Sequence, residues 1–254
     1  MRILSSIAAA CIALAAPVLA SAQTPSAPAG VKNIVIVHDA FTDGSGWRTV
    51  EDILTHKGYN VNVVQEPLTN YDEDVGAVRF ATLAAVGPVV LVGHGYGGEV
   101  ITAAGARAKV KALVYVAAYQ PDVLESVTQL VSSMPAPSND WVTTRDGHIY
   151  FNQSHYAADF AGDVAPERTG FMAVSQVPAT LAAFGAAPFE AAWHDHPSYA
   201  IVATQDRALS PDLQRWMAAR AHSKVTEINA SHSVEISQPE AVAQVIENAA
   251  FNAH

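Results

Sequence analysis

The chain has little cysteine, little positive charge, and no apolar run outside its N-terminal stretch long enough to cross a membrane. Its single cysteine, Cys11, lies in the alanine-rich segment Ile3–Leu19, which follows Arg2 and precedes Ala20-Ser21-Ala22. A positive start, a short apolar region and small residues at its end form the pattern of an export signal. Residues 1–22 are expected to be one, with cleavage after Ala22 and a secreted or periplasmic destination. An acylated Cys11 fits less well, because the apolar region runs well past it. The chain beyond Ala22 then has no thiol, which excludes disulfides, cysteine-ligated zinc and thiol catalysis. Fourteen Lys+Arg against 24 Asp+Glu leave a net charge of −10, spread without acidic blocks. That balance disfavours nucleic acid and anionic membrane as partners, both of which select basic patches. It leaves a small molecule as the expected partner and the oligomeric state open. No internal repeat at solenoid periods is present.

What is there is a β/α rhythm. After a flexible Pro-, Ala- and Ser-rich tail (residues 23–30), Ile34–His38 reads as a strand buried on both faces. Trp47, Val50, Ile53 and Leu54 mark one face of a helix that ends at Lys57-Gly58, a cation followed by a C′ glycine. Strands are expected at 61–64, 89–92, 110–117, 199–203 and 225–228, and helices at 72–86, 96–106, 212–221 and 239–250. Asp72-Glu73-Asp74 opens the second helix at the positive end of its dipole. Between about 126 and 193 the rhythm stops, and prolines and aromatics such as Trp141, Phe151, Phe160, Phe184 and Trp193 accumulate. This segment is expected to be a mainly helical cap. The fold class that follows is α/β: a doubly wound, mostly parallel sheet forming one domain over 31–254, with the cap inserted.

Pro88–Gly98 reads as strand, glycine-dense turn and helix start, the outline of a G-x-S-x-G nucleophile elbow with Gly95 where the serine belongs. Gly93, Gly95 and Gly98 also satisfy G-x-G-x-x-G. They open the third β/α unit, however, and the next strand ends in Ala117-Ala118 with no acid for a ribose, so no dinucleotide or other cofactor is expected. Ligands of open parallel sheets bind beyond the strands' carboxyl ends. Four polar sites fall there: His38-Asp39, Gly93-His94-Gly95, Gln205-Asp206 and Ser231-His232.

The segments V-H-D-A-F-T-D-G-S-G-W from Val37, V-G-H-G-Y-G-G from Val92, L-V-Y-V-A-A from Leu113, V-A-T-Q-D-R from Val202 and S-H-S-V from Ser231 span nearly all of 31–252. Together they resemble the α/β-hydrolase family, in particular small bacterial esterase-type members similar to plant hydroxynitrile lyases and methyl esterases. The resemblance implies that His232 is the general base, that Asp206 orients it, and that position 95 carries the nucleophile. It implies an oxyanion hole from the backbone N–H groups of Ala40 and Tyr96. Asp39, Phe41 and His94 would lie against the substrate, His94 also bonding structurally beneath the site. Asp122, at another strand end, is the alternative acid. His194, His196 and His222 are expected in solvent. His194-Asp195-His196 lacks a second ligand cluster, so no metal is expected.

Two positions depart from the family pattern. Gly95 has no nucleophile; loss of the serine from such a triad costs on the order of 10⁶ in kcat. Asp39 stands where a His-Gly turn is usual. Pointing inward it would oppose an oxyanion; pointing outward it would meet solvent or bond the turn. The expected function is an enzyme acting on a small organic ester or related carbonyl compound without a serine, His232 activating a water in the vacated space or a substrate proton. The alternatives are a catalytically dead ligand-binding member and an ordinary serine esterase inactivated at position 95.

Overall fold

The computed structural model describes residues 28–138 and 140–253; the expected export signal lies outside them. The first half alternates β1 (Asn33–Val37), α1 (Arg48–His56), β2 (Asn60–Val64), α2 (Tyr71–Ala84), β3 (Val89–Gly95), α3 (Tyr96–Ala104) and β4 (Val110–Ala118). An insertion follows, with α4 (Val127–Ser133), β5 (Trp141–Thr143), β6 (His148–Phe151), α5 (Tyr156–Asp159), α6 (Pro166–Val174), β7 (Ala179–Thr180) and α7 (Leu181–Gly185). The alternation resumes with β8 (Ser198–Ala203), α8 (Pro211–Arg220), β9 (Lys224–Ile228), α9 (Val234–Ser237) and α10 (Pro239–Asn252).

Six strands form one sheet in the order β2-β1-β3-β4-β8-β9, every neighbouring pair parallel. β1 shows why the apolar run has no alternation. Val35 and Val37 pack into one apolar layer and Ile34 and Ile36 into the other, because successive side chains leave a strand on opposite faces. Each fully buried aliphatic side chain of this kind contributes about 1.5–3 kcal/mol. The helix ends follow local chemistry: the Asn70 side chain accepts the Asp72 N–H at the start of α2, and Gly58 closes α1 at φ 90°.

The insertion is mainly helical, as expected, through the short helices α4 to α7, and it adds an antiparallel three-stranded sheet of β5, β6 and β7. Strands of two to four residues are too short to display a period-2 pattern, so aromatic density was the only visible sign of them.

The register of β3 against β4 slips between His94 and Gly95, so the chain leaves the sheet sharply there. Gly95 sits at φ 51°, ψ −118°, a conformation that strains any residue with a Cβ. The next residues enter α3 directly, at the carboxyl end of the central strands.

Candidate active site

Four strand ends converge on one buried polar cluster. Asp206, in the turn after β8, is 2% exposed and fully bonded. Its Oδ1 accepts the N–H groups of Ala208 and Leu209 at 2.9 and 2.8 Å, and its Oδ2 accepts Gln214 Nε2 from α8 at 2.8 Å. The same Oδ2 accepts His232 Nδ1–H at 2.7 Å. His232, after β9, is therefore held in one orientation, with Phe160 edge-on to its ring at 4.7 Å between centroids.

The other ring nitrogen decides the character of the site. His232 Nε2–H donates to Asp39 Oδ2 at 2.9 Å, and the Tyr96 N–H donates to Asp39 Oδ1 at 2.5 Å. Asp39 is 4% exposed and points inward, away from solvent. A Cβ built on Gly95 would overlap the Asp39 carboxylate group itself. The two departures from the family pattern are thus a single steric arrangement: glycine at 95 leaves the volume that the carboxylate of residue 39 fills. Two expectations change accordingly. No water occupies a vacated serine position, because Asp39 is there, and the Tyr96 N–H is not a free oxyanion donor.

His38 holds the β1 end of this arrangement. Its Nδ1–H donates to the Asp39 carbonyl at 2.8 Å and its Nε2 accepts the Glu66 N–H at 3.1 Å, which requires the neutral tautomer. Burial lowers its pKa in the same direction. Ala40 follows Asp39, fully buried. Phe41 adopts φ 66°, unusual for a bulky residue, and its ring lies 6.0–6.5 Å from those of Trp141, Phe151, Phe160 and Phe184. His94 lies beneath the site, its Nε2–H donating to the His232 carbonyl at 3.0 Å and its ring 4.8 Å from that of His232. Asp122 is elsewhere, accepting His194 Nε2–H at 2.9 Å near the surface. His194 and His222 are exposed and His196 is half-buried.

The electrostatics follow from two acids flanking one imidazole. Burial alone would lower the His232 pKa, but the adjacent carboxylates of Asp206 and Asp39 outweigh it and raise it well above the usual histidine value. Burial alone would raise Asp39, but the bond and charge of His232, with help from His94 and the Tyr96 N–H, hold it below the usual carboxylate value. The two shifts oppose each other across one bond, His232 pushed toward its protonated form and Asp39 toward its ionised form. Glu66 and Glu99, buried without side-chain hydrogen-bond partners, are pushed well above the usual range, chiefly by desolvation.

A small cation has one candidate position among the described residues: Asp39, His94 and His232 offer ligand atoms within 4.8 Å of one another. Asp39 and His232 already bond directly through a proton, which such an ion would have to displace.

Sequence reasoning missed Gln214, which supports Asp206, and the His38–Glu66 bond, which steadies Asp39. It also missed the chamber around the carboxylate, walled by Asp39, Phe41, Tyr119, Trp141, Phe151, Phe160, Phe184, Ala208, Leu209 and His232. The cap aromatics were visible, but not which of them faced inward. The chamber encloses only about 10 Å³, room for roughly one water.

A parallel sheet with an elbow after β3, an acid after β8 and a histidine after β9 defines the class of α/β-hydrolase-fold proteins. The chain belongs to the alpha/beta hydrolase family, which it matches over residues 34–245. Among solved structures it is similar to polyneuridine aldehyde esterase, with a TM-score of 0.76, 18% identity, and coverage of 86% of this chain and 98% of that one. It is similar to a pyrethroid hydrolase from Sphingobium faniae JZ-2, with a TM-score of 0.72, 20% identity, and coverage of 87% and 98%. It is also similar to tomato methylketone synthase I complexed with 2-tridecanone, with a TM-score of 0.74, 18% identity, and coverage of 88% and 99%. No curated protein matches the sequence.

Proposed function

We propose that this chain is a hydrolase of a small apolar ester or related carbonyl compound in which the Asp39 carboxylate, rather than an elbow serine, is the attacking group. The observation that carries the reading is the seat of that carboxylate: in the space above Gly95, bonded to His232 Nε2 and to the Tyr96 N–H. A serine hydroxyl in a triad has the first of these partners and needs it for the same reason, to be held beside an acid–base imidazole.

The resting charges make the steps balance. Asp39 Oδ2 bonds to the carbonyl carbon while the His232 imidazolium gives its Nε2 proton to the departing alkoxide, which leaves as an alcohol. The acyl group is now an anhydride on Asp39, and that side chain has lost its charge. With one of its two anionic neighbours neutralised, His232 is a neutral base held by Asp206. It takes a proton from water, the hydroxide adds to the acyl carbon, and the C–O bond to Asp39 breaks. Carboxylic acid, Asp39 carboxylate and imidazolium are restored. Because the Tyr96 N–H serves Asp39, the Ala40 N–H is the donor left for the substrate oxygen. The aromatic chamber and the esterase and hydrolase neighbours support an apolar acyl compound as substrate. An exported chain would meet such a compound outside the cytoplasm.

The test is a screen of short aryl esters and lactones, followed by acid quench of the His232→Ala variant with an aryl ester the wild type turns over, whose phenolate departs without the His232 proton. The expected result is an adduct of the acyl mass on the Asp39 peptide. Unchanged turnover by Asp39→Asn would remove Asp39 from the chemistry. A second reading has one observation in its favour: both oxygens of Asp39 and both ring nitrogens of His232 are already bonded within the protein. A catalytically silent ligand-binding protein would raise its melting temperature with a ligand and never convert it.

A further inference from the structure

A second cavity lies beyond the reacting chamber, with Phe41 as their shared wall. It encloses about 180 Å³, against about 10 Å³ for the chamber. An apolar cavity of about 150 Å³ is large enough to take up a benzene ring. Phe171, Met172 and Ile236 give the larger cavity an apolar lining, and Phe171 is 70% exposed at its rim. Two further lining residues are buried with unpartnered polar atoms, Tyr156 Oη and Glu235 Oε2. Arg168 is the only lysine or arginine lining the larger cavity.

That arginine is unmatched. Arg48, Arg79, Arg107, Arg207, Arg215 and Arg220 each pair with a carboxylate, whereas, among the described residues, Arg145, exposed in the turn between β5 and β6, and Arg168 do not. Among the described residues Arg168 has no carboxylate within 4.0 Å, although it stands on α6 over a cavity that also contains Asp43 and Glu235. Asp43 is committed elsewhere, accepting the Ser45 N–H at 2.8 Å. Glu235, fully buried, is pushed above the usual carboxylate value, chiefly by desolvation. Arg168, exposed at the edge of this cavity, therefore has no carboxylate paired with it among the described residues, and its planar fork matches a carboxylate.

We propose that this outer cavity is a binding site for a small apolar monocarboxylate, its ring or chain against Phe41, Phe171 and Met172 and its carboxylate on Arg168. The site deepens the hydrolase reading, whose product is a carboxylic acid released on the far side of Phe41.

The probe is phenylacetate, with phenylacetamide as its uncharged counterpart, measured by calorimetry and thermal shift on the full chain. Saturable binding of phenylacetate is expected, at least tenfold tighter than the amide. Arg168→Gln is expected to remove that preference, and Met172→Trp, which fills the cavity, to weaken both probes. No saturable binding, equal binding of the two probes, or binding undisturbed by Arg168→Gln would each overturn the site. None of these readouts uses turnover, so failure here leaves the Asp39 adduct experiment standing, and failure of that experiment leaves the binding result standing.

Discussion

The two halves of the site are built on different logic. On the β8–β9 side, Asp206 and His232 stand in the arrangement implied by the family resemblance, 2.7 Å apart and supported by two backbone N–H groups and Gln214. On the β1–β3 side nothing is in its usual place: the elbow tip carries no side chain, and a carboxylate from the β1 loop reaches across to fill it. The difference teaches that the space at the tip of the elbow is a volume with specified neighbours, not a residue number. A group can enter it from any element whose side chain reaches the same imidazole and the same backbone N–H.

The comparison breaks most sharply at the rebuilt half. Asp39→Asn keeps the shape and removes the charge, and is expected to lower kcat about 10⁴-fold or more with little change in fold, as judged by circular dichroism. Asp206→Asn attacks the other half. It is expected to cost on the order of 10⁴ in kcat by the tautomer argument, since an amide does not hold Nδ1–H as a carboxylate does. If Asp206→Asn were far milder than Asp39→Asn, the acid half would be structural only.

The next contrast tests the steric coupling. Gly95→Ser alone places a Cβ into the Asp39 carboxylate and at a positive φ, and is expected to destabilise by about 1–3 kcal/mol in urea unfolding. It should not react with a serine-directed phosphonate. Gly95→Ser combined with Asp39→Gly frees both the volume and the Tyr96 N–H, and is expected to be labelled by the same phosphonate. Equal labelling of the single and double variants would separate the two positions.

The smallest effect is on pH dependence. The His232 pKa is raised on folding, so its contribution is complete below about 6.5, the unfolded value, and is lost as pH rises through the folded value. The Asp39 pKa is lowered, so its contribution is present above about 3.8 and is lost as pH falls through the folded value. The stability gap between wild type and His232→Gln is therefore expected to be widest between these limits and to shrink as pH rises through the raised folded value of His232. A gap that widened on the alkaline side would mean that His232 is neutral in the resting site.

Much of the fold was legible because its signals are local. The doubly wound sheet follows from apolar runs such as Val89–Val92 punctuated by turns, and helix ends such as Asn70 and Gly58 follow from single side chains and backbone angles. The cap's small sheet was not legible, since β7 has two residues and draws its stability from β6 rather than from its own pattern. Within the site, His232 and Asp206 could be paired from order and strand ends. The inward turn of Asp39 could not, because solvent and interior are equally open to an aspartate read without its neighbours.

Sequence alone therefore determined the class of sheet, the strand ends where polar residues gather, and the glycine at the tip of the elbow, since each depends on residues within a strand, a helix or one turn. Only the tertiary structure decided what fills the space above Gly95. Asp39 and His232 are 193 residues apart, and the Asp39 carboxylate and Gly95 meet only when β1 and β3 lie side by side. Close packing lets one side chain occupy the volume another position gives up, and no local pattern records which pair will meet.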